Sequence, residues 1–150
     1  MDKSSGAGWK YWPEALDYAE RVRSGKKKAN LEQRQGVERF FRDLENPQYE
    51  LSHKGPEFVI GIIEKTICHQ QGEQIDGTPL RGKPFKLTSF HKYIVYNLLG
   101  FVHAGTHNVR FHEAMIFIPR KNIKTSFAGA LACAASPLPQ YGESARRPRA

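Results

Sequence analysis

The chain has 150 residues, a length typical of one domain, and a formal net charge of +8. This charge favours phosphate-bearing partners without identifying one. The two cysteines, Cys68 and Cys133, belong to no CxxC pair, which argues against a disulfide framework or an ordinary zinc module. No signal-like segment opens the chain, and the longest apolar run, residues 58–63, is too short for a membrane span. We therefore expect no membrane association and a cytosolic location.

Apolar residues recur at helical spacing in four segments of the first hundred residues. The first segment begins near Trp12, where Pro13 suits an initial helical position. The last begins at Thr88 or Ser89, either of which suits an N-cap, and Gly100 ends it. The predicted helices cover residues 12–24, 31–44, 55–69 and 89–100. The intervening residues 70–86 hold three glycines and two prolines, which predicts an exposed loop.

The last third of the chain predicts a strand, a tight loop and a helix. Residues 113–118 form a short apolar run before Pro119, typical of a buried strand. Residues 124–135 are rich in alanine and predict a helix that Lys124 and Thr125 open. A loop ahead of a helix N-terminus points backbone N–H groups at an anion, and the helix dipole adds attraction. In such a loop the lysine reaches the outer phosphates and the threonine hydroxyl coordinates Mg²⁺.

The usual phosphate-loop pattern G-x-x-x-x-G-K-[ST] is incomplete here. Counting back from Thr125, its two glycine positions hold Ile118 and Ile123. A β-branched residue at 123 resists the positive φ angles and the close backbone approach that phosphate binding can require. From the pattern alone, a simple helix start at Lys124 stays open as an alternative.

Residues 118–125, with the sequence Ile-Pro-Arg-Lys-Asn-Ile-Lys-Thr, resemble the deviant Walker A motif of tailed-phage terminase large subunits. Residues 18–26, 40–44, 87–101 and 111–114 resemble other segments of that family, in the same order. The resemblance implies that His91 occupies the position of an adenine-contacting glutamine, and that Thr125 holds Mg²⁺ through the nucleotide. It implies ATP and Mg²⁺ as cofactors. The nucleotide-binding residues that it implies are Arg120, Lys121, Asn122, Ile123, Lys124 and Thr125.

The same resemblance implies an α/β fold in which a helical region, residues 1–110, leads into the strand, phosphate loop and helix of residues 111–137. A basic tail, residues 138–150, is expected to be disordered. The parent activity that the resemblance implies is ATP-driven packaging of phage DNA into capsids, with double-stranded DNA, a small terminase subunit and the portal protein as implied partners in the bacterial cytoplasm. No apolar run ending in acidic residues follows Thr125, and the family's nuclease domain is missing. We therefore expect a truncated, prophage-derived product that is inactive alone.

Two other functions stay open at this point. A basic nucleic-acid-binding module without enzymatic activity would place stacking aromatics, such as Tyr93 or Tyr96, beside basic side chains. Its basic residues would be Lys26, Lys27, Lys28, Arg34, Arg39 and the arginines at 146, 147 and 149. A zinc site would draw on the histidines and cysteine at Cys68, His69, His103, His107 and His112.

Overall fold

The computed structural model describes residues 8–69, 73, 77–106, 108–116 and 124–136. The elements found there are α1 (Trp12–Arg23), α2 (Leu31–Glu45), β1 (Tyr49–Leu51), α3 (Lys54–Thr66), α4 (Ser89–Leu99), β2 (Phe101–His103) and α5 (Lys124–Ala135). The five predicted helices are confirmed, and the expected mixture of helices and strands is present. The largest difference among them is at the C-terminus of α3, which ends three residues before the predicted 69 because Ile67 turns into an extended conformation, with φ −93° and ψ 130°.

Local sequence explains where two of these helices begin. At α2, the Asn30 side chain accepts a hydrogen bond from the Gln33 backbone at 2.8 Å, and Gln33 Oε1 accepts one from the Asn30 backbone at 3.2 Å. This capping box satisfies two helix-end donors at once. At α4, the predicted N-cap is Thr88, whose side chain accepts from the backbone of His91.

The N-terminus of α1 is capped from a distant part of the chain. Tyr11, the N-cap residue, makes no side-chain capping bond. Instead, Glu57 in the first turn of α3 accepts hydrogen bonds from the backbone N–H groups of Lys10, Tyr11 and Trp12, at 3.2, 2.8 and 3.1 Å. The Tyr96 hydroxyl donates to the same carboxylate at 2.6 Å. One carboxylate therefore joins α1, α3 and α4.

The strands β1 and β2 pair antiparallel, with Glu50 opposite Val102. Sequence analysis did not predict them, because three residues are too few to show the two-residue period of a strand. The turn into β2 depends on Gly100. A Cβ there would lie 2.5 Å from the Tyr96 carbonyl oxygen and 2.9 Å from Leu51 Cδ1, so a side chain would force the backbone to move.

All five helices described above contribute to the core, and its aromatic centre lies where α1, α2, α4 and β2 meet. Phe40 is at its centre, with ring centroids 6.1 Å from Trp12, 5.3 Å from Tyr93 and 5.5 Å from Phe101. Each of these rings is buried, and their tilted and edge-on arrangements are favourable for aromatic pairs. The inward face predicted for α4 is correct only in part: of its six residues, three are buried and three are partly exposed, whereas Val95 and Tyr96 are fully buried without having been predicted. The buried three are Tyr93, Asn97 and Phe101, and the partly exposed three are Phe90, Ile94 and Leu98.

A buried lysine, Lys92, forms ion pairs that join three helices. Lys92 of α4 is 5% exposed, and its Nζ lies 2.7 Å from Glu14 of α1 and 3.5 Å from Glu64 of α3. Glu64 also accepts a hydrogen bond from the Leu87 backbone at 3.1 Å. Because a buried charge needs paired and hydrogen-bonded partners, this ion network helps fix the mutual positions of the three helices.

The prediction of a buried strand over residues 113–118 is wrong for residues 113–116. They belong to no strand, and Met115 is 81% exposed. A buried strand needs a neighbouring strand for its backbone groups and cover on both faces. Within the described residues, the small sheet continues past β2 only through an isolated bridge between Val102 and Val109. Residues 117–123 and the predicted tail lie outside the described part of the chain.

Candidate nucleotide site

The helix α5 begins at Lys124, as the sequence predicts. Thr125 and Ser126, in its first turn, are exposed. No acidic residue occupies this turn, so nothing there opposes the attraction of the helix N-terminus for an anion. The predicted loop residues Arg120, Lys121, Asn122 and Ile123 lie outside the described residues.

One apolar face of α5 packs against the rest of the structure. Phe127, Ala130 and Ala134 are buried and recur at intervals of three and four residues. The helix packs against α3. Because this face is buried, the first-turn hydroxyls of Thr125 and Ser126 are left open to solvent.

His91, the predicted adenine-side residue, lies against the same helix. Its ring centroid is 4.6 Å from that of Phe127, with an angle of 45° between the ring planes. His91 is in the first turn of α4, and its Nδ1 is 2.8 Å from the hydroxyl oxygen of Thr88. Burial lowers the pKa of His91 below its usual value, which favours the neutral imidazole near neutral pH. The structure therefore brings His91 to the helix that Lys124 and Thr125 open.

A cleft that the sequence pattern does not predict reaches Phe90, the residue before His91. It has a volume of about 660 Å³ and runs between α2, α4 and residues 111–116. Its side chains include Phe90, which neighbours His91 with ring centroids 5.6 Å apart. Part of the signal was present in the sequence, because Ile94 and Leu98 line the cleft at helical spacing on α4. The third side of the cleft, however, comes from residues 111–116, and the sequence assigned residues 113–118 to a strand.

Polar groups of the cleft belong to a network of hydrogen bonds and ion pairs. Arg39 donates to Asn97 at 3.2 Å, and Asn97 donates to the Tyr93 hydroxyl at 3.1 Å. Arg110 pairs with the buried Asp43, whose carboxylate is 3.9 Å from Arg39. Burial raises the pKa of Tyr93 to about 12, so its hydroxyl stays protonated and available as a hydrogen-bond donor or acceptor. The network holds Arg39 at the edge of the cleft.

The structure also provides evidence on the two alternatives given above, the basic nucleic-acid-binding module and the zinc site. Tyr93 and Tyr96 are 7% and 0% exposed, so neither can stack on a base from the surface. Lys26, Lys28 and Arg34 are exposed and could still meet phosphates without them. Among the described residues, no three side chains of His, Cys, Asp or Glu are grouped to hold a metal ion. His107 lies outside that part of the chain.

The helices of the described residues include none with the length and apolar content to cross a bilayer. Comparisons with protein-family models, curated proteins and solved structures find no match. The assignment of a function therefore depends on the residues and geometry given above.

Proposed function

We propose that this chain binds ATP with Mg²⁺ at the N-terminus of α5, in a site of the kind used by terminase-like DNA-packaging ATPases. The observation that carries the proposal is the contact of His91 with Phe127, at 4.6 Å. The sequence resemblance assigns the base side of the nucleotide to His91 and the phosphate side to Lys124. These segments are far apart along the chain, and their meeting in space supports a common ligand.

In this proposal Lys124 contacts the outer phosphates and Thr125 supplies a hydroxyl for Mg²⁺. The exposure of Thr125 and the lack of acidic residues in the first turn of α5 fit these roles. Backbone N–H groups at the start of the helix add donors for phosphate oxygens. When bound, Mg²⁺ would neutralise part of the phosphate charge.

The wider role follows the resemblance. Double-stranded DNA, a small terminase subunit and a portal protein are the proposed partners, and ATP-driven DNA packaging is the proposed process. The net charge of +8 suits a protein that works close to DNA. The exposed residues Lys26, Lys28 and Arg34 contribute to this basic surface.

Nucleotide titration of the purified chain tests the proposal. With a fluorescent ATP analogue and Mg²⁺, we expect saturable binding that Lys124→Ala weakens at least tenfold, because a charge-assisted bond to phosphate contributes roughly 1.5–3 kcal/mol. Lys28→Ala is the matched control, since it removes the same charge from an exposed turn. Equal affinities of the wild type and Lys124→Ala, or no binding by either, would remove the proposed site.

A further inference from the structure

The cleft between α2, α4 and residues 111–116 has the size of a small-molecule site. Its volume of about 660 Å³ lies within the range of roughly 300–1,000 Å³ that is typical of such sites. Apolar side chains line it, including Ile94 and Leu98 of α4. Neither His91 nor Thr125 is among the described residues that line it. A ligand in this cleft would therefore occupy a different place from the nucleotide proposed above.

Arg39 lines the cleft with part of its guanidinium group unpaired. Its Nη2 donates to Asn97 at 3.2 Å, and its Nε lies 3.9 Å from the Asp43 carboxylate. Among the contacts of the described residues, Nη1 has no hydrogen-bond acceptor, and it is not one of the buried polar atoms that lack a partner. The protons of Nη1 are therefore open to a ligand.

The charge around Arg39 is unbalanced. Arg110 pairs with the same carboxylate of Asp43, which is 3% exposed, so two guanidinium groups share one buried anion. The other charged side chains that line the cleft, Glu32 and Glu113, are exposed, so water and salt screen them. Within the described residues, one of the two positive charges thus has no buried counter-ion.

The Tyr93 hydroxyl is a second donor on the same side of the cleft. It accepts from Asn97 at 3.1 Å, and no described residue accepts its own proton. A Cβ at Gly36 would lie 3.9 Å from this hydroxyl oxygen, and both residues line the cleft. The hydroxyl is protonated at neutral pH, because burial raises the pKa of Tyr93 to about 12. Asn97, which bonds both Tyr93 and Arg39, holds the two donors near each other.

We propose that the cleft binds a small apolar carboxylate, such as an aromatic acid. Its carboxylate lies toward Arg39 and Tyr93, and its apolar body packs against Ile94 and Leu98. A carboxylate accepts from two donors at once, and its charge balances the second guanidinium group. A neutral molecule of the same shape gains the apolar contacts alone.

Two matched compounds test the proposal on the full chain. Naphthalene-2-carboxylate and its neutral amide, naphthalene-2-carboxamide, are titrated into the protein by isothermal titration calorimetry. We expect the carboxylate to bind about tenfold more tightly, because it gains a charge-assisted hydrogen bond. In ¹H–¹⁵N NMR spectra of the same titration, the Gly36 backbone amide and the Asn97 side-chain amide should shift. Equal affinities, no binding of either compound, or shifts confined to other parts of the chain would overturn the proposal.

The charge requirement is tested at Arg39. Arg39→Met keeps much of the apolar stem and removes the guanidinium group, so we expect the affinity for the carboxylate to fall to that for the carboxamide. The affinity for the carboxamide should stay unchanged. Arg42→Met is the matched control, because it removes an exposed arginine from the same helix. A preference for the carboxylate that survives in Arg39→Met would overturn the proposed role of this charge.

The location is tested separately at Gly36, which leaves the Arg39 network intact. Gly36→Leu places a side chain in the cleft and should weaken both compounds to a similar extent. Gly61→Leu is the control, because Gly61 is also helical, in α3, and a Cβ there would have nothing within 4 Å. Unchanged affinities in Gly36→Leu would show that the compounds bind elsewhere and would refute the site.

Discussion

The helical body formed by α1 to α4 differs from the C-terminal stretch of residues 108–116 and 124–136 in how far its side chains are buried. In the body, the large aromatic Phe40 is fully buried and the charged Lys92 has two carboxylate partners. In the C-terminal stretch, α5 is attached by one buried face, and Met115 is 81% exposed. The body thus supplies most of the core, and within the C-terminal stretch the buried face of α5 adds Phe127, Ala130 and Ala134 to it.

This difference explains the position of the candidate site. His91 belongs to the body, where Thr88 and the packing of α4 fix its backbone. Phe127 belongs to α5, which rests on the body through a narrow apolar face. A site at such a boundary combines a histidine with a fixed backbone and a helix end that is open to solvent. The following predictions test this contrast between a body with many buried side chains and a stretch in which Met115 is exposed.

The largest effect is expected at Glu57, which joins three helices of the body. Glu57→Ala removes the cap of α1 and leaves the buried Tyr96 hydroxyl without its acceptor. Adding a lost cap to an unsatisfied buried group gives a loss of about 3 kcal/mol in the free energy of unfolding. Urea denaturation monitored by circular dichroism measures it. Glu57→Gln keeps one acceptor oxygen and should lose less; equal losses from the two variants would contradict this account of the cap.

A smaller, pH-dependent effect is expected at His53. Both tryptophans of the chain contact its ring, Trp9 at 5.2 Å and Trp12 at 5.0 Å between centroids. Burial lowers the pKa of His53, and the nearby Glu57 opposes part of this shift. The folded pKa is below the unfolded value of about 6.5, so this group's contribution to stability is present above that pH and is lost as the pH falls through the folded pKa.

The two tryptophans report that titration directly. We expect intrinsic fluorescence to change as the pH falls below about 6.5, since protonation places a charge beside both indoles. His53→Gln should remove this change and reduce the loss of stability at acidic pH. His112→Gln is the matched control, because His112 is exposed in the C-terminal stretch. A fluorescence transition that survives in His53→Gln would assign it to other groups.

The smallest effect is expected in the C-terminal stretch. Met115→Ala should change the free energy of unfolding by less than about 0.5 kcal/mol, because an exposed side chain loses little apolar contact on truncation. Thermal denaturation of the variant beside the wild type measures it. A loss above about 1 kcal/mol would mean that Met115 is buried in solution and that the contrast between the two regions is weaker than described.

Much of the helical structure could be predicted from the sequence because its signals are local. Asn30 and Thr88 mark helix starts through their own side chains, and the apolar spacing of α2 selects its buried face. On α4, by contrast, the predicted Ile94 and Leu98 line the cleft, and Tyr96 is buried instead. The start of α5 at Lys124 was predicted from the alanine-rich composition of residues 124–135. The short strands β1 and β2 could not be predicted, because each pairs with a partner about fifty residues away along the chain. The short run before Pro119, residues 113–118, was assigned to a strand because it is apolar, and apolar character says nothing about whether a partner strand is present.

By itself the sequence determined the helices, the local caps of α2 and α4, the basic charge and the adjacent Lys124 and Thr125 at a helix start. These follow from intrinsic preferences and neighbours within a few residues. Only the tertiary structure decided that Glu57 caps α1, that Lys92 is buried between two carboxylates, and that His91 meets Phe127. Each of these contacts joins residues distant in sequence, and its geometry is set by how whole helices pack rather than by the residues on either side.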